Sequence, residues 1–356
     1  MRVPVLLLVS IVTLSLGAQR GGSPADTVSP CTTSTPACTD WVTLGGGPAR
    51  SMIYRSHAID SRNDRVQRAL VMVHGAGRNA DHYFATAMAA AFLAGAIDDT
   101  IVIAPRLVAC TDKPEPNEVL WSCDGDSWRS GGAAASHPQL SSFDLMDEIL
   151  RKLANASTFP NLKAIVVAGH SAGGQYVTRY EMANRVHDTL RVPVTYVVAN
   201  PSSYAWPDAT RATSADDGEA AGAKDGWKSE DVHTKFTYGA FDAAWCPNYN
   251  AWPLGLGDRS AGYTAKMTDE QLKKQLAARP TTYLLGQVDT LPLGGFDSSC
   301  AATAQGPTRR ARGEAFLKYI NEKLGAQHRA VIVPECGHND RCVYTTDVVF
   351  PVIFPK

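Results

Sequence analysis

The sequence predicts an α/β fold, a doubly wound and mostly parallel sheet flanked by helices, and three observations predict it. Short β-branched apolar runs alternate along the chain with segments whose apolar residues recur at helical spacing. Those runs are continuously apolar rather than alternating, which marks strands buried on both faces. With 356 residues, 44% of them hydrophobic, the chain can fill a core of that size.

The elements follow in order. Met1-Arg2 is a short basic start, and Val3 to Leu16 is almost wholly apolar before the small residues Gly17-Ala18. This has the layout of a secretory leader over 1–18, and the run falls short of the about 20 residues that span a bilayer. The expectation is a secreted or periplasmic chain with no stable membrane insertion once the leader is cut. Residues 19–40, rich in Gly, Ser, Thr and Pro, read as a flexible lead-in. The catalytic-domain candidate is 41–356. It opens with a hairpin of Trp41–Leu44 and Ser51–Ile59 around Gly45-Gly46-Gly47-Pro48. Ala69–His74 reads as a buried strand, 82–94 as an Ala-rich helix and Thr100–Pro105 as the next strand. A long loop over 106–140 carries Trp121 and Trp128, and Phe143–Leu153 is amphipathic at helical period.

Leu162–Ala168 is the strand that leads into Gly169-His170-Ser171-Ala172-Gly173, with a helix following to about His187. Val194–Ala199 is the sixth strand. After it, 201–265 breaks the alternation and holds Trp206, Trp227 and Trp245 among other aromatics, as expected of a lid-like, aromatic-rich insertion. Within it, the polar stretch 211–226 reads as a mobile surface segment. A short helix at 268–278, a strand at Thr282–Gly286, a helix at 308–324 and a strand at Arg329–Val333 restore the pattern.

Charge narrows the partners. Formal net charge is -1, from 34 basic and 35 acidic residues with no long single-sign block, so no nucleic-acid partner is expected. Eight cysteines suit an oxidising compartment. Eight allow 105 pairings, and sequence proximity suggests Cys31–Cys38, Cys110–Cys123 and Cys336–Cys342, leaving Cys246–Cys300. A metal reading is weak, because no CxxC pair occurs. Asp124-Gly125-Asp126-Ser127 lacks the ligand alternation of a calcium loop and reads as a turn.

The chemistry rests on a G-x-S-x-G between a strand and a helix. A serine on so sharp a turn projects its hydroxyl at a helix N-terminus, and the flanking glycines let strand and helix approach. A serine hydroxyl needs a base. Of nine histidines, His338 sits in a short polar loop after the last strand, whereas His170 is adjacent to Ser171 in sequence, where side chains diverge. The imidazole needs an acid to orient it. Asp289, just after the 282–286 strand, is the first candidate and Asp297 the alternative. Two N–H donors would hold a developing oxyanion: Ala172, after the serine, and Ala76 or Gly77 in His74-Gly75-Ala76-Gly77.

These residues, in the order Ser, Asp, His, make the chain resemble the α/β-hydrolase superfamily over about 41–350. The His74–Ala80 loop and the elbow are similar to those of secreted esterases and polyester depolymerase-like hydrolases. The resemblance implies ester hydrolysis through an acyl-enzyme on Ser171, with no metal and no other cofactor, on a small-molecule or polymer ester. Trp121, Trp128, Trp206 and Trp245 are candidates for the substrate wall. The competing expectations are a peptidase with the same triad and a non-catalytic binding protein on the same fold. A bridge between Cys336 and Cys342 would stiffen the loop carrying His338.

Overall fold

The computed structural model describes residues 29–123, 126–214 and 236–356. The leader over 1–18, residues 19–28 of the lead-in, the Asp124-Gly125 turn, Trp227 and most of 211–226 lie outside the described residues.

Eight strands form the central sheet: β1 (Thr39–Thr43), β2 (Arg50–Arg55), β3 (Arg68–Val73), β4 (Thr100–Pro105), β5 (Ala164–His170), β6 (Val194–Ala199), β9 (Thr281–Gly286) and β10 (Arg329–Val333). Their spatial order is β1-β2-β4-β3-β5-β6-β9-β10. The β1–β2 and β2–β4 pairs are antiparallel and every other pair is parallel. The opening hairpin therefore supplies the antiparallel edge of an otherwise parallel sheet. β7 (Thr210–Ser214) and β8 (Phe236–Ala240) form a separate antiparallel pair within the 201–265 stretch.

Alternate residues of the same strands feed two cores, which is why their sequences are apolar throughout. Val71, Val73, Ile101, Ile103, Ile165 and Val167 face a layer built with α2 (Ser142–Leu153), α3 (Ala172–Ala183), α4 (Asp269–Ala278) and α6 (Arg309–Leu324). Leu70, Met72, Val102, Ala104, Val166 and Ala168 face a second layer with α1 (Ala80–Leu93), α7 (Asp340–Tyr344) and α8 (Phe350–Ile353). The short α5 (Cys300–Thr303) precedes α6. Helix starts follow capping chemistry: Ser141 and Asp144 make a reciprocal box at α2, and Thr268 with Gln271 does so at α4. Among the described residues no helix is long and apolar enough to cross a membrane.

Most boundaries shift by one or two residues from the sequence expectation, and two shift by four. The second strand ends at Arg55 rather than Ile59: Ser56 N–H donates to Val102 O, but the Val102 N–H is taken by the Ser56 hydroxyl oxygen in place of a backbone carbonyl, and the chain then leaves the sheet. The helix after Ser171 ends at Ala183 rather than near His187, because the side-chain Oδ1 of Asn184 accepts from the Val186 and His187 amides and turns the chain. The four cysteine pairs are Cys31–Cys38, Cys110–Cys123, Cys246–Cys300 and Cys336–Cys342.

One buried acid inside α3 makes stability depend on pH. Glu181 is fully buried; one carboxylate oxygen accepts from Thr281 Oγ1 at 2.7 Å and the other has no partner among the described residues. Burial pushes its carboxyl from 4.5 up to about 8. The folded state thus holds a proton that the unfolded chain releases, so stability falls as pH rises between those two values. Glu181→Gln is expected to raise the melting temperature more at about pH 8 than at about pH 5. Equal gains at both would refute this account.

Candidate active site

The sheet's carboxyl ends bring four loops together. β5 ends at His170, and Ser171 turns the chain with φ 58° and ψ -119° before α3 begins at Ala172. That backbone is disfavoured for any residue with a Cβ and is held here by its surroundings. The Ser171 N–H donates to Ala199 O at 2.9 Å, and the glycines around it are required by contact rather than by preference. A Cβ at Gly169 would meet Gly173 O at 2.3 Å, and one at Gly173 would meet Val73 O at 2.2 Å.

His338 lies in the loop between β10 and α7, braced by the Cys336–Cys342 bridge on either side of it. Its Nε2 is 2.9 Å from Ser171 Oγ, and its Nδ1 is 2.9 Å from Asp289 Oδ2. A carboxylate only accepts, so Nδ1–H donates to Asp289, and the free Nε2 lone pair takes the Ser171 O–H. Asp289 is buried, 3% exposed, in the turn after β9, where its N–H donates to Gly286 O. Asp297, the alternative, uses its carboxylate on the Ser299 amide. Asn200, at the end of β6, ties the site together: its Oδ1 accepts from Gly286 N–H at 2.8 Å and its Nδ2 donates to Gly337 O at 3.2 Å. Gly286 has no room for a side chain, since a Cβ there would stand 2.6 Å from Cys336 O.

The loop after β3 passes beside the serine. A Cβ on Gly75 would lie 3.6 Å from Ser171 Cβ. His74 anchors this loop from below: Nδ1–H donates to Gly75 O at 2.9 Å and Nε2 accepts from Leu107 N–H at 3.2 Å. Burial pulls its imidazole down to about 4, so it is neutral and structural rather than a base. Ala76 is exposed at the loop's tip and Ala172 opens the helix. Neither N–H has an intramolecular partner among the described residues.

Three residues that sequence reasoning did not select complete the site. The Arg309 side chain, wholly buried, places Nη1 3.4 Å from Asp289 Oδ1, gives Nε–H to Ser202 Oγ at 2.8 Å and gives Nη2–H to Gly294 O at 2.9 Å. Its signal was an anomaly: three arginines open α6, against the preference of a helix N-terminus for acids. The His170 ring lies against that of His338, tilted by 36° with centroids 4.6 Å apart. Burial first, and the neighbouring His338 second, hold it well below the usual imidazole value, so it is a neutral platform. Tyr83 OH lies 3.0 Å from its Nδ1.

The tryptophan expectation needs correction. Trp121, Trp128 and Trp206 are at most 1% exposed and pack in the core, Trp128 against His74 and Tyr176, and Trp206 against Phe316 and Tyr319. Large rings in a loop found core space and have no surface left for a ligand. Trp245, 57% exposed, is the one of the four that faces solvent. The apolar rim instead comes from Val288, Leu291 and Leu293, exposed on the loop that carries Asp289.

Comparison with known proteins follows this geometry. A family model described as "Alpha/beta hydrolase family" matches residues 70–349. None of the curated proteins matches the chain. Among solved structures, the chain is similar to poly(aspartic acid) hydrolase-1 from Sphingomonas sp. KT-1, with TM-score 0.60 and 21% identity over 89% of this chain and 97% of that one. It is also similar to LpqC, a poly(3-hydroxybutyrate) depolymerase from Bordetella parapertussis, with TM-score 0.58 and 19% identity over 89% and 87%. At these identities the likeness concerns the fold.

Proposed function

Since the chain belongs to the alpha/beta hydrolase family, we propose that it is an exported serine hydrolase that cleaves carboxylic esters through an acyl-enzyme on Ser171. The observation that carries this reading is the unbroken pair of 2.9 Å hydrogen bonds from Ser171 through His338 to Asp289. As Ser171 Oγ attacks the ester carbonyl carbon, its proton passes to His338 Nε2, and Asp289 stabilises the imidazolium. The N–H groups of Ala172 and Ala76 receive the oxyanion. The imidazolium then gives its proton to the departing alkoxide oxygen as the C–O bond breaks. Water attacks the acyl-enzyme, surrenders a proton to His338, and the acid leaves as Ser171 regains its hydrogen.

Ester rather than amide chemistry accords with the apolar rim of Val288, Leu291 and Leu293, which suits an acyl or alkoxy chain. Of the two relatives described above, LpqC is named for a polyester, so a polymer ester stands beside a small one as substrate. Four disulfide pairs support export, which the apolar leader also suggests.

A fluorophosphonate probe is expected to label Ser171, and p-nitrophenyl esters to turn over while p-nitroanilides do not. Faster anilide cleavage would instead make the protein a peptidase, and absence of labelling would make it a binding protein.

A further inference from the structure

The face of α3 that begins at Ser171 continues with polar side chains. Ser171, Gln175 and Arg179 are spaced four residues apart, so they share one side of the helix, with Gln175 about 6 Å and Arg179 about 12 Å along the axis from the serine. Beside this stripe lies a cavity of about 290 Å³ lined by Arg129, Gln175, Arg179, Ser203, Pro253 and Asp297, among others.

Its deep cation lacks a counter-charge. Arg179 is 1% exposed, yet its guanidinium donates only to neutral acceptors: Nε–H to Pro253 O at 3.1 Å, Nη1 to Arg129 O at 3.3 Å and Nη2 to Ser203 Oγ at 3.2 Å. These three bonds use three of the five N–H groups of an arginine. Among the described residues no carboxylate comes within ion-pair distance of it. A buried guanidinium ordinarily has one. Burial, and then Arg129, pull it down to about 9, the response of a cation short of negative charge.

The surrounding charges do not supply the deficit. Asp126 pairs with Arg129 at the mouth. Asp297 accepts from the Ser299 amide and acts electrostatically on both Arg179 and Arg312. Arg312 is itself buried, has no carboxylate partner among the described residues and leaves one guanidinium nitrogen unpartnered. Among the described residues, Arg129, Arg179 and Arg312 face Asp126 and Asp297, three cations to two carboxylates. Gln175 and Ser203 are held ready by each other, Gln175 Nε2 donating to Ser203 Oγ at 2.7 Å while Arg129 donates to Gln175 Oε1 at 2.8 Å.

Resting on the reading of Ser171 as an ester-cleaving nucleophile, we propose that this cavity is a substrate subsite for a carboxylate, with Arg179 as its counter-charge. The substrates it selects are esters that carry a free acid several bonds from the scissile carbonyl. A half-ester of a dicarboxylic acid has that form, and so has a polyester chain end. One face of the site is apolar, at the loop beside His338, and the other is cationic, along α3. A substrate crossing both is amphiphilic.

The test uses ester pairs that differ by one charge. Monoethyl sebacate against ethyl decanoate varies the acyl side; the butyryl ester of 8-hydroxyoctanoate against octyl butyrate varies the alkoxy side, each acid being long enough to reach from Ser171 to Arg179. At least one acidic member is expected to exceed its neutral partner by about tenfold or more in kcat/KM, through KM. Arg179→Met is expected to lower that ratio by about tenfold, and Arg179→Lys to keep part of it. If the Met variant does not fold, the wild-type ratios decide. Equal or faster turnover of both neutral esters overturns the proposal. Calorimetric titration of the Ser171→Ala protein with the same four esters needs no turnover. Tighter binding of an acidic member upholds the subsite even if no ester is cleaved, and binding without charge preference removes it even if all are.

Discussion

Ser171→Ala is expected to lower ester turnover by about 10⁴- to 10⁶-fold while the protein stays folded. His338→Ala should cost a similar factor, and the double variant little more, because serine and imidazole act as one unit whose members are useless apart. The residual rate would reflect binding and the oxyanion donors alone. Measuring kcat/KM on one p-nitrophenyl ester for the two single variants and the double variant checks this. Additive losses would mean that the 2.9 Å contact between Ser171 and His338 is not used in the reaction. A companion variant separates chemistry from strain. Ser171 sits at φ 58°, a conformation glycine adopts freely. Ser171→Gly should therefore be inactive yet more stable by about 1 kcal/mol. A destabilised glycine variant would show that the serine side chain repays its backbone strain with contacts.

Arg309→Met is the second large expected effect. The guanidinium bridges Asp289 and the Gly294 carbonyl, and a Cβ on Gly294 would stand 3.2 Å from the His338 ring. One side chain thus positions both the acid that orients the imidazole and the loop that borders it. Its loss is expected to lower kcat by about 10²-fold with KM little changed, since the misplaced groups matter only once charge develops. Breaking a buried pair should also cost about 3 kcal/mol in stability, read from denaturant melts. Arg309→Lys keeps the charge without the fork and should recover part of kcat. A folded Met variant with unchanged kcat would assign the positioning of Asp289 to the backbone alone.

What the sequence made legible has a physical pattern. Strands such as Thr100–Pro105 were readable because burial on both faces forces continuous apolarity, which leaves few other interpretations. Ser171, Asp289 and His338 were readable as a set because open parallel sheets expose the carboxyl ends of their strands, and each residue lies just past one. The geometry joins the three, while Asp297 accepts from the amide of Ser299 in a local turn. Arg309 and Arg179 were not readable. Each lies within a helix, and the feature that matters, a guanidinium at nearly zero exposure, arises from tertiary packing that no local pattern encodes. The tryptophans misled for the same reason. Trp121 and Trp206 lie in irregular segments, where aromatic side chains suggest a binding wall, yet both are core. His170 is adjacent to Ser171 in sequence, but its ring contact with His338 depends on how two distant turns superpose.

The glycines at 169, 173 and 286 hold no reactive group, yet each marks a place where one backbone lies against another too closely for a methyl. Relatedness of function between this chain and a distant sequence therefore cannot be judged by aligning a serine, an aspartate and a histidine. A homologue that kept all three letters but carried alanine at these hydrogen-only positions would have its machinery prised apart, and it would be mistaken for a working enzyme by any comparison that looked only at the residues with chemistry to offer.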